Sequence, residues 1–182
     1  MLKITIPGGI EAYNEETNEF YVSKETTLQL EHSLLSVSKW EAKWKKPFLS
    51  KTPGDKTNEE VLDYIRCMTI TQNVDPILYY FLTSENYAAI NEYIEDPMCA
   101  TKFYGTEQKK SSETITAETI YYWMTALNIP FECQKWHLNK LLALIELASI
   151  KNSPPKKMSK KDLYAQNREI NEARKRALRS RG

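Results

Sequence analysis

The chain has 182 residues, 41% hydrophobic and 27% charged, a composition that suits a globular domain with an appended segment and excludes a disordered or fibrous chain. Lys+Arg number 25 and Asp+Glu 24, so net charge assigns no partner, and no run of 18 apolar residues is present to span a membrane. The charge is nonetheless uneven. Residues 151–182 carry 11 Lys/Arg and 3 Asp/Glu, a net of +8, which leaves 14 basic and 21 acidic residues in 1–150, a net of −7. That asymmetry marks the C-terminal end as an interaction segment.

The first residues, Met1 to Pro7, lack the apolar stretch of a signal peptide, so export by that route is not expected. Leu2, Ile4 and Ile6 alternate with Lys3 and Thr5, which predicts a strand that Pro7-Gly8-Gly9 breaks. Glu19 to Ser23 predicts a second strand after the polar run 14–18, and the two are expected to pair as an antiparallel hairpin. Thr26 or Thr27 is expected to cap a long helix reaching about Lys46. Its broad face is Leu28, Leu30, Leu34, Leu35, Val37, Glu41 and Ala42. Trp40 and Trp44, four apart, share one side of it, and Pro47 ends it.

Residues 51–56 read as a polar loop. Thr57 and Glu60 have capping-box spacing and open a helix with Val61, Leu62, Ile65, Met68 and Thr69 inward. Asp75-Pro76 starts a short helix to Leu82, with proline at the first helical position. Ser84 starts another that Pro97 stops, and residues 101–113 read as an exposed loop. Thr116 begins a helix that Asn128-Ile129-Pro130 ends. Residues 132–151 give the strongest apolar face, from Trp136 through Leu138, Leu141, Leu142 and Ile145 to Ala148 and Ser149. Asn152-Ser153-Pro154-Pro155 marks a boundary. Ser159 and Asp162 have capping-box spacing for a last, basic helix over 160–179, with Leu163, Ile170 and Ala177 seven apart.

The expected architecture is therefore mainly α: a multi-helix globular domain with an N-terminal β-hairpin and a basic C-terminal helix. Its regions are 1–27, 28–151 and 152–182.

Reactive chemistry finds little support. Cys67, Cys99 and Cys133 are scattered and odd in number, which fits a reducing compartment. Cys133 and His137, one turn apart on the expected helix, offer half of a metal site or two members of a nucleophilic pair. A buried cysteine beside a polar-edge histidine explains the same residues, so no metal, cofactor or catalytic residue is assigned. The five glycines form no phosphate cradle. Aromatic clusters are more informative: Trp40/Trp44, Tyr79-Tyr80-Phe81 and Tyr121-Tyr122-Trp123. Consecutive aromatics on a helix point in different directions, so each triplet leaves a ring near the surface, where Tyr and Trp suit protein interfaces. Candidate partner-binding residues are Trp40, Trp44, Tyr80, Tyr122, Trp123, Trp136, Arg168, Arg174, Lys175 and Arg176. The basic end interleaves only Tyr164 with its charge, which favours protein docking or a solvated helix over nucleic acid.

Several strings resemble a family encoded by tailed bacteriophages. They are residues 27–34 (TLQLEHSL), 38–44 with 46–49 (SKWEAKW, KPFL), 64–69 (YIRCMT), 120–124 (IYYWM), 127–139 (LNIPFECQKWHLN) and 151–159 (KNSPPKKMS without Ser153). The family is the tail assembly chaperones of long-tailed, siphovirus-like phages. The resemblance covers most of the chain and is weakest in 1–24 and 84–112. It implies a non-catalytic, oligomeric protein of the host cytoplasm. Its expected partners are the tape measure protein, tail tube subunits and a frameshifted form of itself, with neither nucleic acid nor membrane. The alternative expectation is a structural virion protein, such as a head–tail connector or tail-tube-associated component.

Overall fold

The computed structural model describes residues 1–14, 19–49, 56–101, 114–153 and 160–178. The expected loops at 51–55 and 102–113, the Pro154-Pro155 boundary and the Ser159 cap lie outside them. The protein is mainly α. Among the described residues the strands are β1 (Leu2–Ile6), β2 (Glu11–Asn14), β3 (Glu19–Val22) and β4 (Thr26–Leu30). The α-helices among them are α1 (Leu34–Trp44), α2 (Asn58–Met68), α3 (Ser84–Glu95), α4 (Ala117–Ala126), α5 (Leu138–Asn152) and α6 (Lys160–Leu178), with 3₁₀ helices at Pro76–Phe81 and Phe131–Lys135. The chain divides into two compact units, Met1–Ser149 and Ile150–Gly182.

The N-terminal strands correct the expected pairing. β1 pairs antiparallel with β4, Ile4 opposite Leu28 and Leu2 opposite Leu30, while β2 pairs with β3, Tyr13 opposite Phe20 and Glu11 opposite Val22. The same two chain segments therefore form two successive ladders. Ser23 joins them: its Oγ accepts from the Ile10 N–H (2.9 Å) and donates to the Pro7 carbonyl (2.7 Å). Gly9 takes a left-handed φ of 84° at this break, a conformation glycine adopts without a Cβ clash.

The expected helix from Thr26 is likewise corrected. Leu28 and Leu30 are inward residues of β4, fully buried, each contributing about 2 kcal/mol of transfer free energy. The helix starts only at Leu34, where Ser33 is extended and exchanges a capping box with Ser36. β4 also bonds on its other side to the chain after α2, through Glu31 N–H to the Met68 carbonyl (2.9 Å) and Ile70 N–H to the Gln29 carbonyl (2.8 Å). The β1–β4 sheet thus runs across the expected 27/28 boundary and belongs to the core.

The helix expected over 132–151 begins later. Phe131–Lys135 is a 3₁₀ helix and Trp136 is extended. His137 then forms an antiparallel bridge with Ser33, and the Leu138 N–H bonds the His32 carbonyl at 2.7 Å. These backbone groups are engaged across the fold, so α5 starts at Leu138. Thr57/Glu60 caps α2 as a full box, Thr116 caps α4, and Pro76 occupies the start of its 3₁₀ helix.

Two buried carboxylates tie the core together. Glu41 on α1 accepts from the Phe48 N–H and from the Ala117 N–H at the start of α4, both at 2.7 Å. The second contact places an acid at a helix N-terminus, where unpaired donors point outward. Glu60 accepts from Lys46 Nζ (2.6 Å) and the Thr57 N–H (2.8 Å).

Candidate protein-interaction surfaces

Trp40 is 1% exposed and belongs to the core, not to a partner-facing edge. Its indole N–H donates to the Glu60 carbonyl at 2.8 Å, and its ring meets Phe48 edge-on at 5.2 Å. Burying an indole requires a partner for that N–H, and α2 supplies it. Trp44 is half-buried and donates to Asp63 Oδ2 at 2.9 Å, beside the Lys43–Asp63 ion pair at 2.5 Å. Both tryptophans thus fasten α1 to α2. Trp123 is half-buried against the core.

The remaining candidates lie at the surface. Tyr80 is exposed, with the Arg66 guanidinium 5.7 Å from its ring centre. Tyr122 is 71% exposed on α4. Trp136 is partly exposed, with Lys140 Nζ 4.8 Å over its ring. The Tyr121 ring lies 6.3 Å from exposed Phe131, and its hydroxyl donates to Gln134 Oε1 at 2.8 Å. Arg168, Arg174, Lys175 and Arg176 are all exposed on α6. Arg176 approaches Glu172 at 3.9 Å, one turn away.

The residues that sequence reasoning missed are on the β2–β3 ribbon. Directly opposed residues share a face, so Glu11, Tyr13, Phe20 and Val22 form one side. That side faces out: Phe20 is 75% and Val22 58% exposed, and the Tyr13 and Phe20 ring centres lie 4.9 Å apart with their planes tilted by 47°. On the opposite side, Tyr21 packs against the core. The ribbon therefore presents its richer apolar face to solvent, an arrangement typical of an interaction surface. Period-2 alternation marks the strands, but Tyr13, Phe20 and Val22 on one side and Ala12 and Tyr21 on the other leave their orientation open.

Both histidines are engaged in contacts within the fold. His137 lies on an extended turn, away from any helical pairing with Cys133. Its Nδ1 accepts from the Asn139 N–H (3.3 Å), which leaves Nε2 to donate to the Tyr93 carbonyl (2.9 Å). His32 Nδ1 shares a 2.5 Å hydrogen bond with the Tyr64 hydroxyl, and its ring lies 5.1 Å from that of His137. Burial, reinforced by His137, lowers the His32 pKa to about 4. Burial, then the Asp63 charge, pushes the Cys67 thiol up, away from the thiolate a nucleophile needs. Among the described residues no group of three or more His, Cys, Asp or Glu is placed to hold a metal ion, and no helix is long and apolar enough to cross a membrane. An open groove of about 370 Å³ beside the first turn of α1 is lined by Ser33, Leu35, Cys67 and Ile70 with the exposed Lys39 and Lys135.

Comparison with protein-family models, curated proteins and solved structures finds no match to this chain.

Proposed function

We propose that this chain is a non-catalytic binding protein of phage tail morphogenesis, a tail assembly chaperone that keeps the tape measure protein soluble during assembly. The phage assignment rests on the sequence strings described above. The observation that supports a binding role is the outward aromatic face of the β2–β3 ribbon, Tyr13, Phe20 and Val22. A long helical client exposes apolar stripes, and rigid aromatic side chains cover such stripes at small entropic cost. Oligomerisation would multiply weak contacts along that client. In this reading the protein works in the host cytoplasm, and the basic C-terminal helix contacts tail tube subunits or another copy, or is replaced in a frameshifted form.

Co-expression with the tape measure protein tests this. The expected result is a rise in soluble client and its recovery on the tagged chaperone. The Tyr13→Ser/Phe20→Ser variant should lose at least about tenfold in recovery, the loss typical of removing aromatic anchors. A client that stays insoluble and unbound would refute the reading.

The ribbon also favours a second reading. Its backbone edges suit strand addition between subunits of a ring, as in a head–tail connector or tail-tube-associated protein. Mass spectrometry of purified particles separates the two: stoichiometric retention supports the virion component, and absence supports the chaperone.

A further inference from the structure

We infer that the outward face of the β2–β3 ribbon is the seat for helix α6 of a second copy of this chain. The inference rests on charge and exposed apolar surface and does not need the tail-assembly reading; where both hold, α6 and the client compete for this one face.

The ribbon needs a cover. Phe20, Tyr13 and Val22 stand on one face, and the way proteins bury such a face is to lay a helix or another sheet on it. Charge decides between these. Residues 10–23 contain four glutamates and no lysine or arginine, and Glu11 lies on the exposed face itself. Two ribbons brought face to face or edge to edge would set like charges together. A basic helix with apolar positions meets no such repulsion.

α6 has that chemistry. It spans Lys160–Leu178, and Leu163, Ile170 and Ala177 recur every seven residues along it. Tyr164 is 70% exposed, Ile170 is exposed, and Arg168, Arg174, Lys175 and Arg176 are all in solvent. The four residues of each ribbon strand extend about 14 Å, a length that roughly nine residues of helix cover. The 19 residues of α6 are ample. Whole-chain charge agrees: a segment of net +8 meets a body of net −7. α6 of the chain itself carries the same chemistry, and isotope labelling separates it from the second-copy contact. Such a contact joins unlike surfaces, leaves one ribbon and one helix free at the ends, and closes into a ring or continues as a chain.

The test uses the full chain with p-benzoylphenylalanine in place of Phe20, irradiated as an equal mixture of isotopically heavy and light protein. The expected result is heavy–light cross-links from position 20 to residues 160–178. In parallel, sedimentation should give a concentration-dependent mass above the 21.2 kDa of one chain. The association should weaken about tenfold or more between 0.1 and 0.5 M NaCl, because the Debye length shortens over that range. Glu11→Lys and Lys175→Glu should each weaken association, and the two variants mixed should recover part of it, because in half of the pairings the Glu11→Lys ribbon meets the Lys175→Glu helix or the unchanged ribbon of one variant meets the unchanged helix of the other. Cross-links confined to heavy–heavy and light–light pairs would overturn the second-copy occupant. Cross-links from one ribbon to another would overturn the helix. A chain that is monomeric at every concentration and gives no cross-link to 160–178 would overturn the inference entirely. So would α6 binding a short DNA duplex while position 20 stays unlinked to it.

Discussion

His32 illustrates how a single buried side chain sets a response to acid. It is enclosed by Tyr64, Phe48 and His137, and burial holds its pKa at about 4 against an ordinary 6.5. The unfolded chain therefore binds the proton first. The stability that neutral His32 contributes is present above pH 6.5, falls as pH drops through that value, and is exhausted below about 4. A shift of that size corresponds to about 3 kcal/mol. Urea unfolding at pH 7, 5.5 and 4 should show this loss, and His32→Gln, which keeps a hydrogen-bonding group but cannot titrate here, should flatten the 6.5-to-4 window. An unchanged slope in the variant would remove His32 as the cause. Glu60 acts lower on the scale. The Lys46 ammonium holds its carboxyl below the usual range of about 4.5, so its stabilisation persists above that value and is lost as pH falls beneath it. The histidine's identity was visible in the sequence. Its environment was not, because Tyr64 and His137 lie 32 and 105 residues away along the chain.

At the scale of elements, local signals succeeded wherever the decisive contacts were local. The Thr57–Glu60 box, Pro76 at a helical start and Thr116 as a cap all depend on residues within a turn of one another. Thr57→Ala should therefore cost about 1 kcal/mol in thermal or denaturant unfolding, the usual value for a lost N-cap. Restoring a cap with Thr57→Ser should recover most of it. Equal stability of Thr57→Ala and the parent chain would show that Glu60's bond to Lys46 carries the helix start alone. Boundaries failed where distant backbone intervened. Thr26–Leu30 satisfies both a helical and a period-2 pattern over five residues, and its pairing with β1 decides for strand. His137 could continue a helix by propensity, but its bridge to Ser33 prevents it.

For the whole molecule, stability should be unevenly distributed. The Met1–Ser149 unit holds the buried core of Leu28, Leu30, Leu34, Ile65, Met68 and Leu138. Every described side chain of α6 is exposed, and an isolated helix without a buried face is marginal in water. Hydrogen exchange on the dilute full chain should show α6 amides protected by less than about 100-fold, while the amides of β4 and α2 reach the protection set by global unfolding. Protection of α6 equal to that of α2 under those conditions would mean that α6 is already covered.

The sequence alone determined the mainly helical composition, the local caps and the separation of an acidic body from a basic end. These follow from residue type and spacing within a few positions. Only the tertiary structure decided that Trp40 serves the core, that β4 replaces the first turns of a helix, and that Tyr13, Phe20 and Val22 face outward. Each of those outcomes depends on a partner distant along the chain: the Glu60 carbonyl for Trp40, β1 for β4, and the side of the ribbon that Tyr21 packs inward. Periodicity states that a face exists. Which way it turns is settled by what else in the fold needs covering.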